Sequence, residues 1–165
     1  MTILPSQALP GDIVLAHSKG FIGWAIRVAQ GVRWRGWNTW NHVAVVVASG
    51  ANPLCAQATG KGVVLAPLSD VAPGGVYEIR RALFVDGDRV AAYARSRVGV
   101  RYGFLTIGSI LFDILTPRVL RLDLRQEGTL ICSALGALAL VAGGWLHPVA
   151  DYYQWTPAQM AEALA

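Results

Sequence analysis

The sequence has little charge, few cysteines and no long uninterrupted hydrophobic run. Charged residues make up 15% of the 165 residues, hydrophobic residues make up 54%, and only two residues are cysteine. The first residues lack the basic region and apolar core of a secretory signal, and two cysteines without such a signal argue against a disulfide framework. The uncharged stretch Leu130–Leu146 barely reaches the about 17 residues that cross a bilayer, and it contains a glycine pair. We therefore expect one domain over residues 1–165, cytoplasmic in the absence of a signal, with delivery by another route as the alternative.

Sequence patterns for metal and cofactor sites are also missing. No group of Cys, His and carboxylate residues has zinc-site spacing, and no glycine-rich phosphate loop follows a predicted strand. We expect no metal and no cofactor, and we assign no role to His17 or His147. The formal net charge of +4 suits an anionic partner such as phospholipid, cell-wall polymer or nucleic acid. Charge alone does not choose among these partners.

Turn residues divide the chain into short strands followed by helices. The predicted strands cover Asp12–Ala16, His42–Ala48, Leu54–Ala58, Val63–Ala66 and Val76–Arg81. The predicted helices cover Phe21–Gln30, Gly87–Val98, about Tyr102–Leu115, a stretch from near Thr129 to Gly143, and a short terminal segment opened by Pro157. Strands clustered before helices predict an α+β fold with an antiparallel sheet.

Two segments favour contact with an amphiphilic or aromatic partner. Residues 31–41 contain three tryptophans and two arginines, which stack on bases, lie at membrane interfaces or bind sugars. The alternative is that the tryptophans cap the core and the arginines are solvated. The apolar segment Phe104–Leu120 predicts a helix that lies against the core or against lipid.

The uncharged stretch from Gly128 to Trp145 predicts a helix that is buried on nearly every face. Cys132 lies in its predicted first turn, where unpaired N–H groups and the helix dipole stabilise a thiolate. Such a cysteine is a candidate nucleophile. The alternative is a small core residue, since cysteines are often buried.

A candidate base and a candidate orienting group precede this cysteine. His42 begins a predicted strand, and Gln57 lies on the next strand, on the same face as Cys55. A thiolate that attacks a carbonyl needs an imidazole to carry its proton and a polar group to fix the imidazole tautomer. Cys55 has no helix N-terminus beside it and is assigned to the core.

Five segments together resemble a known family. They are Pro10–Leu15, Trp40–Val46, Ala56–Val63, Val98–Gly103 and Leu130–Leu135. In this order they are similar to the circularly permuted NlpC/P60 hydrolases, which have a papain-like fold and are related to the lecithin:retinol acyltransferase group.

The resemblance implies roles for particular residues. It implies Cys132 as nucleophile, His42 as base and Gln57 as orienting residue. Residues of the same segments, Trp40, Tyr102 and Ser133, are candidate substrate-binding residues. The chain departs from the family at position 134, where an alanine stands in place of a frequent acidic residue. It also departs at Gln57, since the third catalytic group is often a carboxylate.

Several functions remain open at this point. A cysteine hydrolase or acyltransferase would act through a thioester on amide bonds of cell-wall peptides or on acyl or amide bonds of lipids. A catalytically weak module would bind a membrane or a partner through residues 104–120. Nucleic-acid binding through the basic surface is the weakest alternative. The sequence does not indicate the oligomeric state.

Overall fold

A computed structural model describes residues 3–18, 23–24, 26–28, 31, 39–105, 108, 112, 128–146 and 155–165. Its strands are β1 (Ile13–Ala16), β2 (His42–Ala48), β3 (Leu54–Thr59), β4 (Gly62–Pro67), β5 (Tyr77–Arg80), β6 (Arg101–Tyr102) and β7 (Thr129–Leu130). Its α-helices are α1 (Leu68–Val71), α2 (Gly87–Ser96), α3 (Cys132–Ala142) and α4 (Pro157–Ala163), and Pro5–Gln7 form a short 3-10 helix.

The first five strands form one antiparallel sheet in the order β4-β3-β2-β1-β5. Valine and alanine fill β2 because both of its faces are covered. On one face, Val43 and Val45 pack in a core with residues of α2 and α3. On the other face, Ala44 and Val46 pack with residues of α1 and β5. The α+β class with an antiparallel sheet against the Cys132 helix is confirmed.

The helix that carries Cys132 begins later than the sequence predicted. Thr129 and Leu130 pair in parallel with Arg101 and Tyr102, so the chain is extended up to Ile131, and α3 begins at Cys132. This pairing also means that Tyr102 lies in a strand, not at the start of a helix. Both predicted helix starts were wrong, because period and composition do not report a two-residue strand pair that is remote in sequence. Residues 104–105, 108 and 112 of the second predicted helix are helical.

The C-terminal end of α3 lies at the predicted glycine pair. A Cβ added to Gly143 would lie 2.5 Å from Val90 and 2.6 Å from Val85, so only glycine lets α2 approach this closely. Gly144 follows with φ of +93°, which favours glycine. The close approach fixes the far end of α3 against α2 and thereby fixes the direction in which its first residue points.

Two helix starts follow their capping residues. The Asp86 side chain accepts a hydrogen bond from the Arg89 N–H at 3.1 Å, and Thr156 and Gln159 form the predicted capping box. Half of the predicted helix 21–30 and more than half of 102–115 lie outside the described residues, as do Trp34, Trp37 and His147. Residues 23–24 and 26–28 are helical, as predicted. Within the described part of the chain, no helix has both the length and the apolar character that crossing a membrane requires.

A buried carboxylate ties β1 to the end of β5. Asp12 accepts hydrogen bonds from Arg81 Nε at 2.7 Å, from a second Arg81 nitrogen at 2.8 Å, and from the Leu9 N–H at 2.8 Å. We expect Arg81→Ala to lower the free energy of unfolding by about 2 kcal/mol, because it leaves a buried carboxylate with one donor. Arg89→Ala removes an exposed ion pair and is expected to cost under about 0.5 kcal/mol. Equal losses in urea unfolding of the two variants would contradict this assignment.

Candidate active site

Three elements bring Cys132, His42 and Gln57 to one cavity of about 520 Å³. His42 is the first residue of β2, Gln57 lies on β3, and Cys132 is the first residue of α3. β2 and β3 are paired so that Gln57 faces Ala44, which places it diagonally opposite His42 on the same side of the sheet. The side chains that the sequence pattern proposed as a triad are therefore close together at the end of β2 where α3 begins.

The imidazole of His42 is oriented by Gln57. His42 Nε2 lies 2.7 Å from Gln57 Oε1. The amide oxygen only accepts hydrogen bonds, so this contact places a proton on Nε2. Nδ1 is then the ring nitrogen that remains for the hydrogen bond with the Cys132 side chain. Gln57 thus fixes both the tautomer and the orientation of the ring.

The surroundings of Cys132 favour its thiolate form. Its side chain is buried, with 3% of the residue exposed. Burial raises the pKa of the Cys132 thiol, but the hydrogen bond and charge of His42 and the N–H groups of Val43 and Ser133 together lower it below its usual value. Val43 is on β2 and Ser133 is in the first turn of α3. The sulfur is therefore stabilised from the sheet and from its own helix.

The pKa of His42 is shifted in the opposite direction to that of Cys132. Burial lowers the pKa of His42, but the hydrogen bond and charge of Cys132 and the hydrogen bond of Gln57 raise it above its usual value. A lowered thiol pKa beside a raised imidazole pKa is the property of a thiolate–imidazolium pair. Such a pair is an activated nucleophile with a proton donor at hydrogen-bond distance.

Tyr102 lines the same cavity. Burial and the negative charge of Cys132 raise the pKa of its phenol, so the hydroxyl stays protonated throughout the neutral range. The ring makes an edge-to-face contact with Phe104, with 4.9 Å between ring centroids. Tyr102 therefore brings a hydrogen-bond donor and an aromatic surface to the cavity that contains Cys132.

The other two candidate substrate-binding residues lie elsewhere. The Ser133 hydroxyl is buried and donates to the carbonyl of Trp155, so it joins α3 to the segment before α4, and only its N–H faces Cys132. Trp40 is partly buried and packs against the core. Neither side chain is among the described residues that line the cavity.

Several polar residues of the cavity received no role from the sequence. Asn41 and Ser18 line it and are joined by hydrogen bonds. Asn41 directly precedes His42, so its position in the Trp-Asn-His segment was the available signal. Asp70 also lies at the cavity. His17 Nε2 contacts Arg27 and is not among the lining residues.

Cys55 differs from Cys132 in each of these respects. Burial raises the pKa of Cys55 to about 12, and its sulfur lies 3.7 Å from the carbonyl oxygen of Pro53. We expect iodoacetamide at about pH 6 to alkylate Cys132 and to leave Cys55 unmodified, because only the thiolate reacts. Peptide mass mapping of the alkylated protein measures this. Equal modification of the two cysteines would show that His42 does not activate Cys132.

Metal ligands do not converge in the described part of the chain. No group of three or more His, Cys, Asp or Glu side chains lies there with the spacing of a metal site. Cys132 and His42 are each engaged with the other, and Gln57 occupies the remaining nitrogen of the ring.

Comparison with protein-family models and with curated protein sequences gives no match. Comparison with solved structures gives a similar fold in the crystal structure of metalloprotein yiiX from Escherichia coli O157:H7, which is named DUF1105. The TM-score is 0.60 and the sequence identity 19%, and the match covers 83% of this chain and 67% of that chain. At this identity the similarity concerns the fold alone.

Proposed function

We propose that this protein is a cysteine hydrolase or acyltransferase that acts through a thioester on Cys132. The observation that supports it most is the contact of Cys132, His42 and Gln57 in one cavity, with the thiol pKa lowered and the imidazole pKa raised. A structural cysteine in an apolar core has the opposite shift, as Cys55 shows.

In the first step, the Cys132 thiolate adds to the carbonyl carbon of the substrate. The carbonyl π electrons move to oxygen, and a tetrahedral oxyanion forms. As it collapses, the bond to the leaving group breaks and the proton on His42 Nδ1 passes to the leaving nitrogen or oxygen. The products of this step are a thioester on Cys132, neutral His42 and the protonated leaving group.

In the second step, neutral His42 takes a proton from water or from an acceptor alcohol or amine. The resulting nucleophile adds to the thioester carbon, and the sulfur leaves as a thiolate. This restores the thiolate–imidazolium pair. Gln57 keeps Nδ1 directed at the sulfur in both steps, because its oxygen accepts the Nε2 proton in either charge state of the ring.

Tyr102 is the donor that we assign to the oxyanion. Its protonated phenol lines the cavity, and the negative charge on Cys132 contributes to the raised pKa of the phenol. A donor that is already fixed near the reacting sulfur stabilises negative charge on the carbonyl oxygen without reorganisation. The N–H groups of Val43 and Ser133 already donate to the sulfur in the resting state.

Exposed apolar residues beside the cavity favour an amphiphilic acyl substrate. Trp24 is 57% exposed, and in the sequence it stands between Gly23 and Ile26, which both line the cavity. Phe104, 54% exposed, contacts Tyr102 and lies near Gly60 of the lining, and Leu105 is 55% exposed. We call Trp24, Phe104 and Leu105 the apolar rim. The family resemblance alone favours amide bonds of cell-wall peptides.

The apolar rim also supports a second candidate function, a non-catalytic module that binds lipid. Exposed aromatic residues on a protein of net charge +4 suit an anionic membrane surface. In this alternative, Cys132→Ala would bind anionic vesicles as the wild type does and no acyl transfer would occur in either.

Reaction with p-nitrophenyl esters tests the proposed function. We expect burst release of p-nitrophenol from the octanoate ester and an intact mass increase of one octanoyl group, mapped to Cys132 after acid quench. Acetate and octanoate esters compared at equal concentration measure the preference for a longer chain. The binding module would be favoured if neither ester left an adduct on Cys132 and if Cys132→Ala bound anionic vesicles as the wild type does.

A further inference from the structure

The Asn41 side chain joins the start of β2 to the chain that follows β1. Its Oδ1 accepts from the Ser18 N–H at 2.7 Å and from the Ser18 hydroxyl at 3.1 Å. Its Nδ2 donates to the carbonyls of Ser18 at 3.0 Å and Gly23 at 3.1 Å. Asn41 is 2% exposed, so these contacts are shielded from water. All four hydrogen-bonding positions of the amide are occupied.

The contacts around Asn41 require an amide at position 41 and a glycine at position 23. An aspartate at position 41 would keep the acceptors but would direct a carboxylate oxygen at the two carbonyls. A Cβ added to Gly23 would lie 2.8 Å from Asn41 Nδ2 and 2.9 Å from both the carbonyl oxygen and the hydroxyl oxygen of Ser18. Gly23 therefore lets the chain approach Asn41 closely enough for both Nδ2 hydrogen bonds.

Ser18, Gly23 and Asn41 all line the cavity that contains Cys132 and His42. The hydrogen bonds of the Asn41 side chain go to Ser18 and Gly23 and not to the Cys132–His42 pair. Ile26, three residues after Gly23, also lines the cavity. Asn41 thus holds a wall of the cavity without contacting the reacting atoms.

We propose that Asn41 is a positioning residue that fixes the acyl-binding wall of the cavity and leaves the reactivity of Cys132 to His42 and Gln57. This rests on the proposed function, because a wall for an acyl chain has a role only if Cys132 takes up an acyl group. The wall determines how strongly a chain-bearing reagent binds before it reacts. The Cys132–His42 pair determines how fast the reagent reacts once it is bound.

Inactivation by N-octyl iodoacetamide separates the two quantities. The Cys132 thiolate displaces iodide, and the concentration dependence gives the binding constant KI and the limiting rate kinact. We expect Asn41→Ala to raise KI about tenfold, as several hydrogen bonds that hold the wall are lost, while kinact stays within about twofold. The pH dependence of alkylation by iodoacetamide, which carries no chain, is expected to coincide with that of the wild type.

Two further variants of the wall and one control variant extend this test. Gly23→Ala is expected to raise KI as Asn41→Ala does. Ser18→Ala removes one of four hydrogen bonds and is expected to raise KI about twofold. Ser96→Ala removes an exposed hydroxyl that donates to the Tyr93 carbonyl at the end of α2, and it is expected to leave KI unchanged. If Asn41→Ala lacks the far-UV circular dichroism of the folded protein, Ser18→Ala and Gly23→Ala supply the test.

The results of these experiments distinguish failure of the positioning role of Asn41 from failure of the proposed function. An unchanged KI in Asn41→Ala and Gly23→Ala overturns the positioning role while the proposed function stands. A fall in the iodoacetamide rate parallel to the fall for the octyl reagent also overturns it, because Asn41 would then act through His42. If wild-type Cys132 fails to react with iodoacetamide below neutral pH, the proposed function fails, and the positioning role fails with it.

Discussion

His42→Ala is expected to lower acyl transfer from p-nitrophenyl octanoate by about 10⁴-fold or more. The substitution removes the proton carrier of both steps and the main group that lowers the pKa of Cys132. Burial is then the largest remaining influence on the thiol, and it raises the pKa as it does for Cys55. The nucleophile becomes a neutral thiol at neutral pH, and steady-state hydrolysis measures the loss.

The control for this variant is His17→Ala. His17 also hydrogen-bonds through Nε2, but its partner is Arg27 and it is not among the residues described as lining the cavity. We expect its activity to stay within about threefold of the wild type, since no contact described for it reaches Cys132, His42 or Gln57. Comparable activity of His42→Ala and the wild type would remove His42 from the mechanism and leave the binding module as the better proposal.

The pH dependence has a definite direction. Alkylation of Cys132 should rise as pH increases through its lowered pKa, so the rise lies at more acidic pH than for an ordinary thiol. Acyl transfer should fall again as pH increases through the raised pKa of His42, because the imidazolium that protonates the leaving group is lost. In His42→Ala the alkylation profile should shift to alkaline pH, and rates across about pH 5–10 measure it.

Strand patterns predicted much of the sheet. The valine run behind His42 predicted β2 with its observed ends, and the turn before Leu54 predicted its antiparallel partner β3. The alternation of side chains along β3 placed Gln57 on the same face as Cys55, and the observed register of Gln57 opposite Ala44 relates that face to His42. These predictions succeeded because strand pairing through a short turn is a local property of the chain.

Contacts between remote segments were beyond the sequence pattern. The parallel pairing of β6 with β7 joins segments 28 positions apart in register, and it moved the start of α3 to Cys132. The bond from Ser133 to the Trp155 carbonyl turned a candidate substrate-binding side chain into a link between helices. Asn41 required three-dimensional structure, because its partners Ser18 and Gly23 lie 23 and 18 positions earlier.

The second large effect on kcat is expected from substitutions of Gln57, and its direction depends on the charge of the new side chain. Gln57→Ala is expected to lower kcat about 100-fold, because the ring of His42 then loses the acceptor that holds Nε2–H and directs Nδ1 at the sulfur. Gln57→Glu keeps an acceptor in the same place and adds a negative charge beside the imidazolium. We expect it to raise the pKa of His42 further and to keep or increase kcat.

Cys55→Ala is the matched control for Gln57→Ala. Cys55 lies two residues earlier on β3 and on the same side of the sheet, but it packs with Leu68 and Val71 and is not among the lining residues described. Its loss therefore measures the cost of disturbing β3 alone. Steady-state kinetics of the three variants, with the alkaline limb of the pH profile, separate orientation from charge. If Gln57→Glu loses as much activity as Gln57→Ala, the amide donors of Gln57 matter more than its oxygen, and the Nε2–H tautomer assigned to His42 is wrong.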